Sequence, residues 1–146
     1  MTPRAYVDTS SYLAVLLGEA DGAAVRNRLV GHALCSSVLL LLEAERNLVR
    51  LARDRLLTAG QFQQAMEHMK ADRELFTLRD FTLDLTLTGQ FPSVRIPRSL
   101  DLIHLRTACW FAQEAQGLDR FETLDEAQAA AALELGLPIA GKPSSG

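Results

Sequence analysis

The sequence is poor in the residues that most often betray a function. It holds only two cysteines and three histidines in 146 residues. Cys35 and Cys109 lie far apart in apolar surroundings, so they read as small core thiols in a reducing compartment. With three scattered histidines they supply too few ligands for a zinc site. The longest apolar run, 38–42, is far shorter than the roughly 20 residues that cross a bilayer. Met1-Thr2-Pro3-Arg4 is followed by no long apolar stretch and no small-residue cleavage site, so the reading carries no secretory leader, no membrane and a cytoplasmic location. A glycine-rich phosphate loop and a Gly-x-Ser-x-Gly elbow are both missing, which removes nucleoside triphosphatases and serine hydrolases. Neither cysteine has a His and acid motif to activate it. Net charge is also scarce: the balance of −3 excludes a protein that holds nucleic acid by bulk charge, though a local basic groove stays open.

What is present suits one folded domain. At 48% hydrophobic and 23% charged, the chain can bury a core without disulfide staples. Residues 1–140 read as the domain and 141–146 as a loose tail. Short apolar runs alternate with helical patterns. Strands are expected at 4–8, 33–36, 76–78, 121–123 and 137–140. Helices are expected at 11–17 (capped by Thr9 and Ser10), 21–30, 37–57, 58–75 (capped by Thr58), 81–88, 99–116 (capped by Ser99) and 123–135. Thr123-Leu124-Asp125-Glu126 has the spacing of a capping box, and Gly117 and Gly136 stop the last two helices. Such alternation predicts an α/β fold of three α/β/α layers around a mainly parallel sheet of about four to five strands.

In open α/β sheets, functional groups gather beyond the carboxyl ends of the strands. Asp8 follows the first strand directly. Asp125 stands just after the run 121–123. Asp101 lies in the first turn of the long helix, and Glu43 and Glu45 lie early in the helix after the Cys35 strand. Each acid alone has a structural explanation, as a cap or as a complement to a helix dipole. Asp8 is odder, because apolar Tyr6-Val7 delivers its carboxylate to the edge of the core. Several acids together repel unless cations separate them. Oxygen-rich clusters suit Mg²⁺ or Mn²⁺, which activate water and stabilise the leaving oxygen in phosphodiester hydrolysis.

Tyr6-Val7-Asp8-Thr9-Ser10-Ser11-Tyr12-Leu13 resembles the opening motif of PIN domains. The stretch from Ser36 through Glu43 to Arg46 resembles their second motif, a Ser, an apolar run, an acid and an Arg. Arg98-Ser99-Leu100-Asp101-Leu102-Ile103-His104-Leu105 with Ala108 resembles the third and is the most specific. Phe121-Glu122-Thr123-Leu124-Asp125, with the Ala-rich helix and Gly136-Leu137-Pro138-Ile139, resembles the closing segment. All four run in the expected order over nearly the whole chain. The resemblance implies a metal-dependent ribonuclease similar to the VapC-type toxins of bacterial toxin–antitoxin pairs, with one or two Mg²⁺ or Mn²⁺ ions per site. Asp8, Glu43 and Asp101 would be the core ligands and Asp125 the fourth, with Thr9 and Thr123 as hydrogen-bonding support. It also implies an RNA substrate, a homodimer and a small antitoxin partner.

The second acid is open on residues alone. Glu43 and Glu45 are about 200° apart on a helix. The helical wheel sets Glu45 among Val38, Leu41, Leu42, Leu48, Val49 and Ala52 and makes it the more buried acid, whereas the family spacing selects Glu43. Glu43, Arg46, Arg50 and Arg53 share a face, either a basic strip for RNA phosphates or a solvated face with a Glu–Arg pair. Arg98 and Arg106 flank Asp101; either can meet phosphate, and solvation is the simpler reading for Arg106. His104 reads as an acid–base group by position and as a structural histidine by resemblance. Three rivals stand beside the ribonuclease: a PIN-like RNA- or protein-binding module that does not cut, a DNA- or structure-specific nuclease with the same metal site, and an unrelated α/β interaction protein in which the acids are only caps.

Overall fold

Tyr6 and Val7 are adjacent and both fully buried. Side chains alternate across a strand, so both faces of this strand must be covered. The computed structural model, which describes residues 1–86 and 91–139, is built on that requirement. Its order is β1 (Arg4–Val7), α1 (Thr9–Leu16), α2 (Ala20–Leu29), β2 (Ala33–Ser37), α3 (Leu39–Arg53), α4 (Ala59–Arg73), β3 (Phe76–Arg79), a 3-10 turn Leu83–Leu85, α5 (Ser99–Gln113), β4 (Arg120–Glu122) and α6 (Glu126–Glu134). The four strands form one sheet in the order β3-β2-β1-β4. All pairs are parallel, with Tyr6 opposite Cys35 on one side and Phe121 on the other.

One layer packs Tyr6, Cys35 and Phe121 against Leu105, Ala108 and Phe111 of α5 and Ala131 and Ala132 of α6. The Tyr6 and Phe121 rings stack with centroids 5.4 Å apart. The opposite layer packs Val7 against Tyr12 of α1, Leu40 and Ala44 of α3 and Met69 of α4. This is the expected three-layer α/β/α architecture, with four strands. Both thiols are free, Cys35 is fully buried, and burial pushes its pKa up to about 12, which makes it an inert core group.

Several local expectations are corrected. Asp8, not Thr9 or Ser10, caps α1, its carboxylate accepting from the Ser11 amide. Ser99 is the first helical residue of α5, behind Arg98 at the cap. Asp125 caps α6 through the Ala127 and Gln128 amides, so the Thr123 capping box does not form; that hydroxyl is drawn to Asp8 instead. Thr58 caps α4 as expected, with a reciprocal Gln61 contact. Of the helix expected at 81–88, the described part is only the 3-10 turn. The last strand is a single bridge between Ile139 and Phe121. Residues 87–88, Ala140 and the tail 141–146 lie outside the described residues.

Gly22 fixes how closely α1 and α2 cross. A β-carbon there would run into the Ala14 carbonyl oxygen, a backbone atom that cannot rotate away. We expect Gly22→Ala to destabilise the fold by about 2 kcal/mol, the overpacking strain exceeding the gain in helix propensity. Thermal melts of the two proteins check this, and a stabilised variant would show that the helices can part.

The chain steps outward from β1 to β2 and β3, then returns to lay β4 on the other side of β1. That reversal is a topological switch point, and its crevice opens beyond the carboxyl ends of β1 and β4, where such folds bind ligands. Asp8 and Asp125 follow those two strands.

Candidate active site

Asp8 is 6% exposed. The Ser10 hydroxyl donates to its Oδ1 at 2.7 Å, the Ser11 amide donates to the same oxygen at 3.2 Å, and the Thr123 hydroxyl donates to Oδ2 at 2.5 Å. These donors are all neutral. Burial raises the Asp8 carboxyl above its ordinary pKa, and the hydrogen bonds to its charged form oppose the rise only in part. A carboxylate this deep, held by hydroxyls and an amide, keeps an electrostatic need that a cation would meet.

Glu43 faces the same crevice from α3. The Thr9 hydroxyl donates to its Oε1 at 3.0 Å, and His104 Nε2 lies 2.6 Å from that oxygen. The other ring nitrogen, Nδ1, lies 2.7 Å from the Tyr6 hydroxyl. Burial lifts the Tyr6 pKa well above its ordinary value, so the phenol keeps its proton. The network then assigns Tyr6 O–H as donor to Nδ1 and Nε2–H as donor to Glu43. His104, buried and engaged at both nitrogens, is a positioning residue for Glu43 and has no free nitrogen for substrate. Glu45 is exposed. The buried stripe of α3 is Leu40, Ala44 and Leu48, while Leu42 and Val49 on the Glu45 side are 63% and 39% exposed. The wheel that buried Glu45 is thus corrected: the leucine run 39–42 is apolar all round, so periodicity gave the wrong side.

Asp101 and Asp125 stand at the starts of α5 and α6. The Gln128 side-chain amide donates to the Asp101 carbonyl at 3.0 Å and ties these two helix starts together. Arg95 lies between the carboxylates, 3.6 Å from each. A continuous circuit results: Asp8 and its neighbour Thr9, Thr9 to Glu43, Glu43 to His104, one turn along α5 to Asp101, through Arg95 to Asp125, and from the Asp125 amide to the Thr123 hydroxyl and back to Asp8. Asp8 and Asp125 are linked through Thr123 and Asp101 and Asp125 through Arg95, while Glu43 is joined to them only through Thr9, next to Asp8, and His104, one turn from Asp101. Thr9 and Thr123 each bond one of them.

No protein-family model matches the chain, and no curated protein sequence matches it.

The donor set is made of hard carboxylate oxygens, which suit Mg²⁺ or Mn²⁺. Among the described residues, no three or more His, Cys, Asp or Glu side chains are gathered tightly enough to hold a metal ion. Each acid is engaged by a donor of the protein itself. By donor chemistry alone the carboxylates suit a divalent ion, and Arg95 is the cation that lies between two of them.

Three further residues stand near these acids without a local sequence signal for that place. Arg95 lies in a stretch between Pro92 and Pro97 with no periodicity to place it. Ser10 was read as a cap. Glu122, one residue before Thr123, is a fifth acid near the rim, but it is buried and paired with Arg28 at 2.6 Å and Arg120 at 3.5 Å, which fixes α2 to the sheet. On the outer side, Arg46, Asn47, Arg50 and Arg53 line a groove of about 460 Å³ that also includes Asp54. Glu43 faces His104, so it forms no pair with this arginine face. Arg98 is exposed. Arg106 is not solvated as expected: its Nε and Nη1 are buried and lack a hydrogen-bond partner among the described residues.

Proposed function

We propose that this chain is a PIN-type, metal-dependent endoribonuclease that hydrolyses RNA phosphodiester bonds. The observation that supports this reading is that Asp8, Glu43, Asp101 and Asp125 are linked through the shared neighbours Thr9, His104, Arg95 and Thr123. Caps in an unrelated α/β protein have no reason to be linked to one another through such shared polar neighbours.

Asp8, Glu43 and Asp101 would hold one or two Mg²⁺ or Mn²⁺ ions, with Asp125 completing the set. When bound, divalent metal supplies the charge that activates water and stabilises the leaving oxygen in phosphodiester hydrolysis. The chain's own residues do the rest. Thr123, Ser10 and the Ser11 amide orient the Asp8 carboxylate. Tyr6, through His104, fixes Glu43. The Arg46–Arg50–Arg53 groove, on the helix that carries Glu43, would draw RNA phosphates by charge despite the chain's net acidity.

The resemblance to VapC-type toxins makes an antitoxin and a homodimer part of the proposal, acting in the cytoplasm. No helix among the described residues is long and apolar enough to cross a membrane. Exposed apolar side chains favour a protein partner: Leu42 and Val49 on α3, and Val94 and Ile96 before α5.

The test is cleavage of total cellular RNA by the purified protein. With Mg²⁺ or Mn²⁺ we expect discrete fragments, and with EDTA none. Co-expression of the antitoxin should suppress the activity. Folded, antitoxin-free protein that binds RNA and makes no fragments would move the reading to the non-cutting module, and cleavage confined to DNA would move it to the other nuclease. A freely purified monomer without toxicity to its host would remove the toxin assignment.

A further inference from the structure

Residues 91–98 run without helix or strand before α5. They are not loose. The Glu134 carboxylate at the end of α6 accepts from the Ser93 and Val94 amides at 2.9 and 2.7 Å, and Pro92 is buried. This clamp sets the next residue, Arg95, over the crevice. Its Nη2 faces Asp101 Oδ2 and its Nη1 faces Asp125 Oδ1, each at 3.6 Å. One guanidinium fork thus spans two carboxylates on two different helices.

We propose that Arg95 is a tethered cation that fills the gap between Asp101 and Asp125 in the metal-free protein and competes with divalent metal for the same oxygens. The inference rests on the metal-site reading above. Two like charges at neighbouring helix starts need a counter-charge, and the fork supplies it. A divalent ion binds carboxylate oxygen at about 2.0–2.2 Å. Such an ion on Asp101 or Asp125 would repel a guanidinium held less than 4 Å from the same oxygens, so metal loading requires the Arg95 side chain to leave. The exchange is feasible because both contacts exceed direct hydrogen-bond length and the side chain is 29% exposed. Only the side chain has to swing; the Glu134 clamp on the backbone can stay. Partly exposed pairs of this kind are weak, so the competition lowers metal affinity by about five- to tenfold rather than by thousands.

Mn²⁺ alone is the probe, titrated into full-length metal-free protein while free Mn²⁺ is followed by electron paramagnetic resonance. Arg95→Gln should bind Mn²⁺ about five to ten times more tightly than the parent. Arg95→Lys, whose single ammonium reaches one carboxylate at a time, should bind about two to three times more tightly, and it serves if the glutamine variant does not fold. Equal or weaker binding by a folded variant, with clear binding by the parent, overturns the role of Arg95 and leaves the metal site standing. No Mn²⁺ binding by parent or variants overturns the metal reading, and this inference with it.

Discussion

On the proposed ribonuclease reading, we expect Asp8→Asn to give a folded protein that has lost RNA cleavage, yet melts at a higher temperature than its parent in metal-free buffer at neutral pH. The two halves of this result come from the same carboxylate. If Asp8 holds metal as proposed, its loss should cost at least the hundredfold that loss of a supporting group around a metal can cost, so cleavage should fall about a hundredfold or more. The stability gain follows from burial. Asp8 is 6% exposed and its donors are neutral. Desolvation raises its carboxyl pKa in the folded state. Between the unfolded and folded values, the folded chain holds a proton that the unfolded chain has released, so stability falls as pH rises through that window. Asparagine keeps the shape and removes the charge. Its Oδ1 accepts from Ser10 and the Ser11 amide, and the Thr123 hydroxyl turns to accept from its Nδ2. The advantage should be full at neutral pH and should fade as pH drops through the carboxylate range, where Asp8 protonates anyway. Melts across pH in EDTA, beside cleavage assays with Mg²⁺, test both halves. Undiminished cleavage by the folded variant would take Asp8 out of the site. A lower melting temperature at neutral pH would mean that the buried charge is compensated in the metal-free fold.

The layer architecture was legible because its signals are local. Short apolar runs separated by helical stretches dictate a parallel sheet covered on both faces, and Tyr6-Val7 shows both faces within two residues. Asp8, Asp101 and Asp125 could be singled out because each follows a strand or opens a helix, whereas Glu43, a turn inside α3, was selected by the resemblance alone. Contacts between distant residues were not legible. Thr123 has good capping spacing, but Asp8, far away in sequence, claims its hydroxyl at 2.5 Å. A capping box is a local bargain, and a buried carboxylate outcompetes it. Periodicity pointed to Glu45 rather than Glu43 and misled, because a helix opening with four leucines has no clear apolar side. What separates them is tertiary: Thr9 and His104 reach Glu43 and leave Glu45 in solvent. Arg95 left no trace at all. A single arginine between two prolines acquires meaning only once Glu134 has clamped the backbone beside it.

Arg4→Ala should be among the most destabilising single substitutions in this fold, at about 3 kcal/mol, although Arg4 lies outside the acid circuit. An arginine in the first strand is 7% exposed because it serves the end of α5. Its Nη2 donates to the Phe111 carbonyl at 2.9 Å, its Nε to the Gly117 carbonyl at 2.9 Å, and its Nη1 to the Gln116 side-chain oxygen at 3.2 Å. The guanidinium also sits 4.9 Å from the centre of the Phe111 ring. The last carbonyls of a helix have no partner within it, and a cation there complements the dipole. Arg4 meets both needs and holds the turn that delivers β4 to β1. Its backbone continues the work, with the Arg4 amide donating to Asp119 and the Asp119 amide donating to the Arg4 carbonyl, both at 2.8 Å. Alanine would strand the Gly117 carbonyl, at about 1–3 kcal/mol for a group left unsatisfied, would leave the Phe111 carbonyl with only the Glu114 amide, and would remove the cation at the helix end and its packing on Phe111. A loss of about 3 kcal/mol corresponds to a melting-temperature drop of roughly 10 °C for a chain of this size. Lysine should recover only part of it, since one ammonium cannot reach three acceptors in the geometry of a fork. Below the transition, RNA cleavage by Arg4→Ala should stay close to that of the parent, because the β1–β4 register that sets Asp8 beside Thr123 is also held by ladder hydrogen bonds. An unchanged melting temperature would show that water replaces the guanidinium at the end of α5, whereas a loss of cleavage in the fully folded variant would show that the crevice depends on Arg4 for its shape.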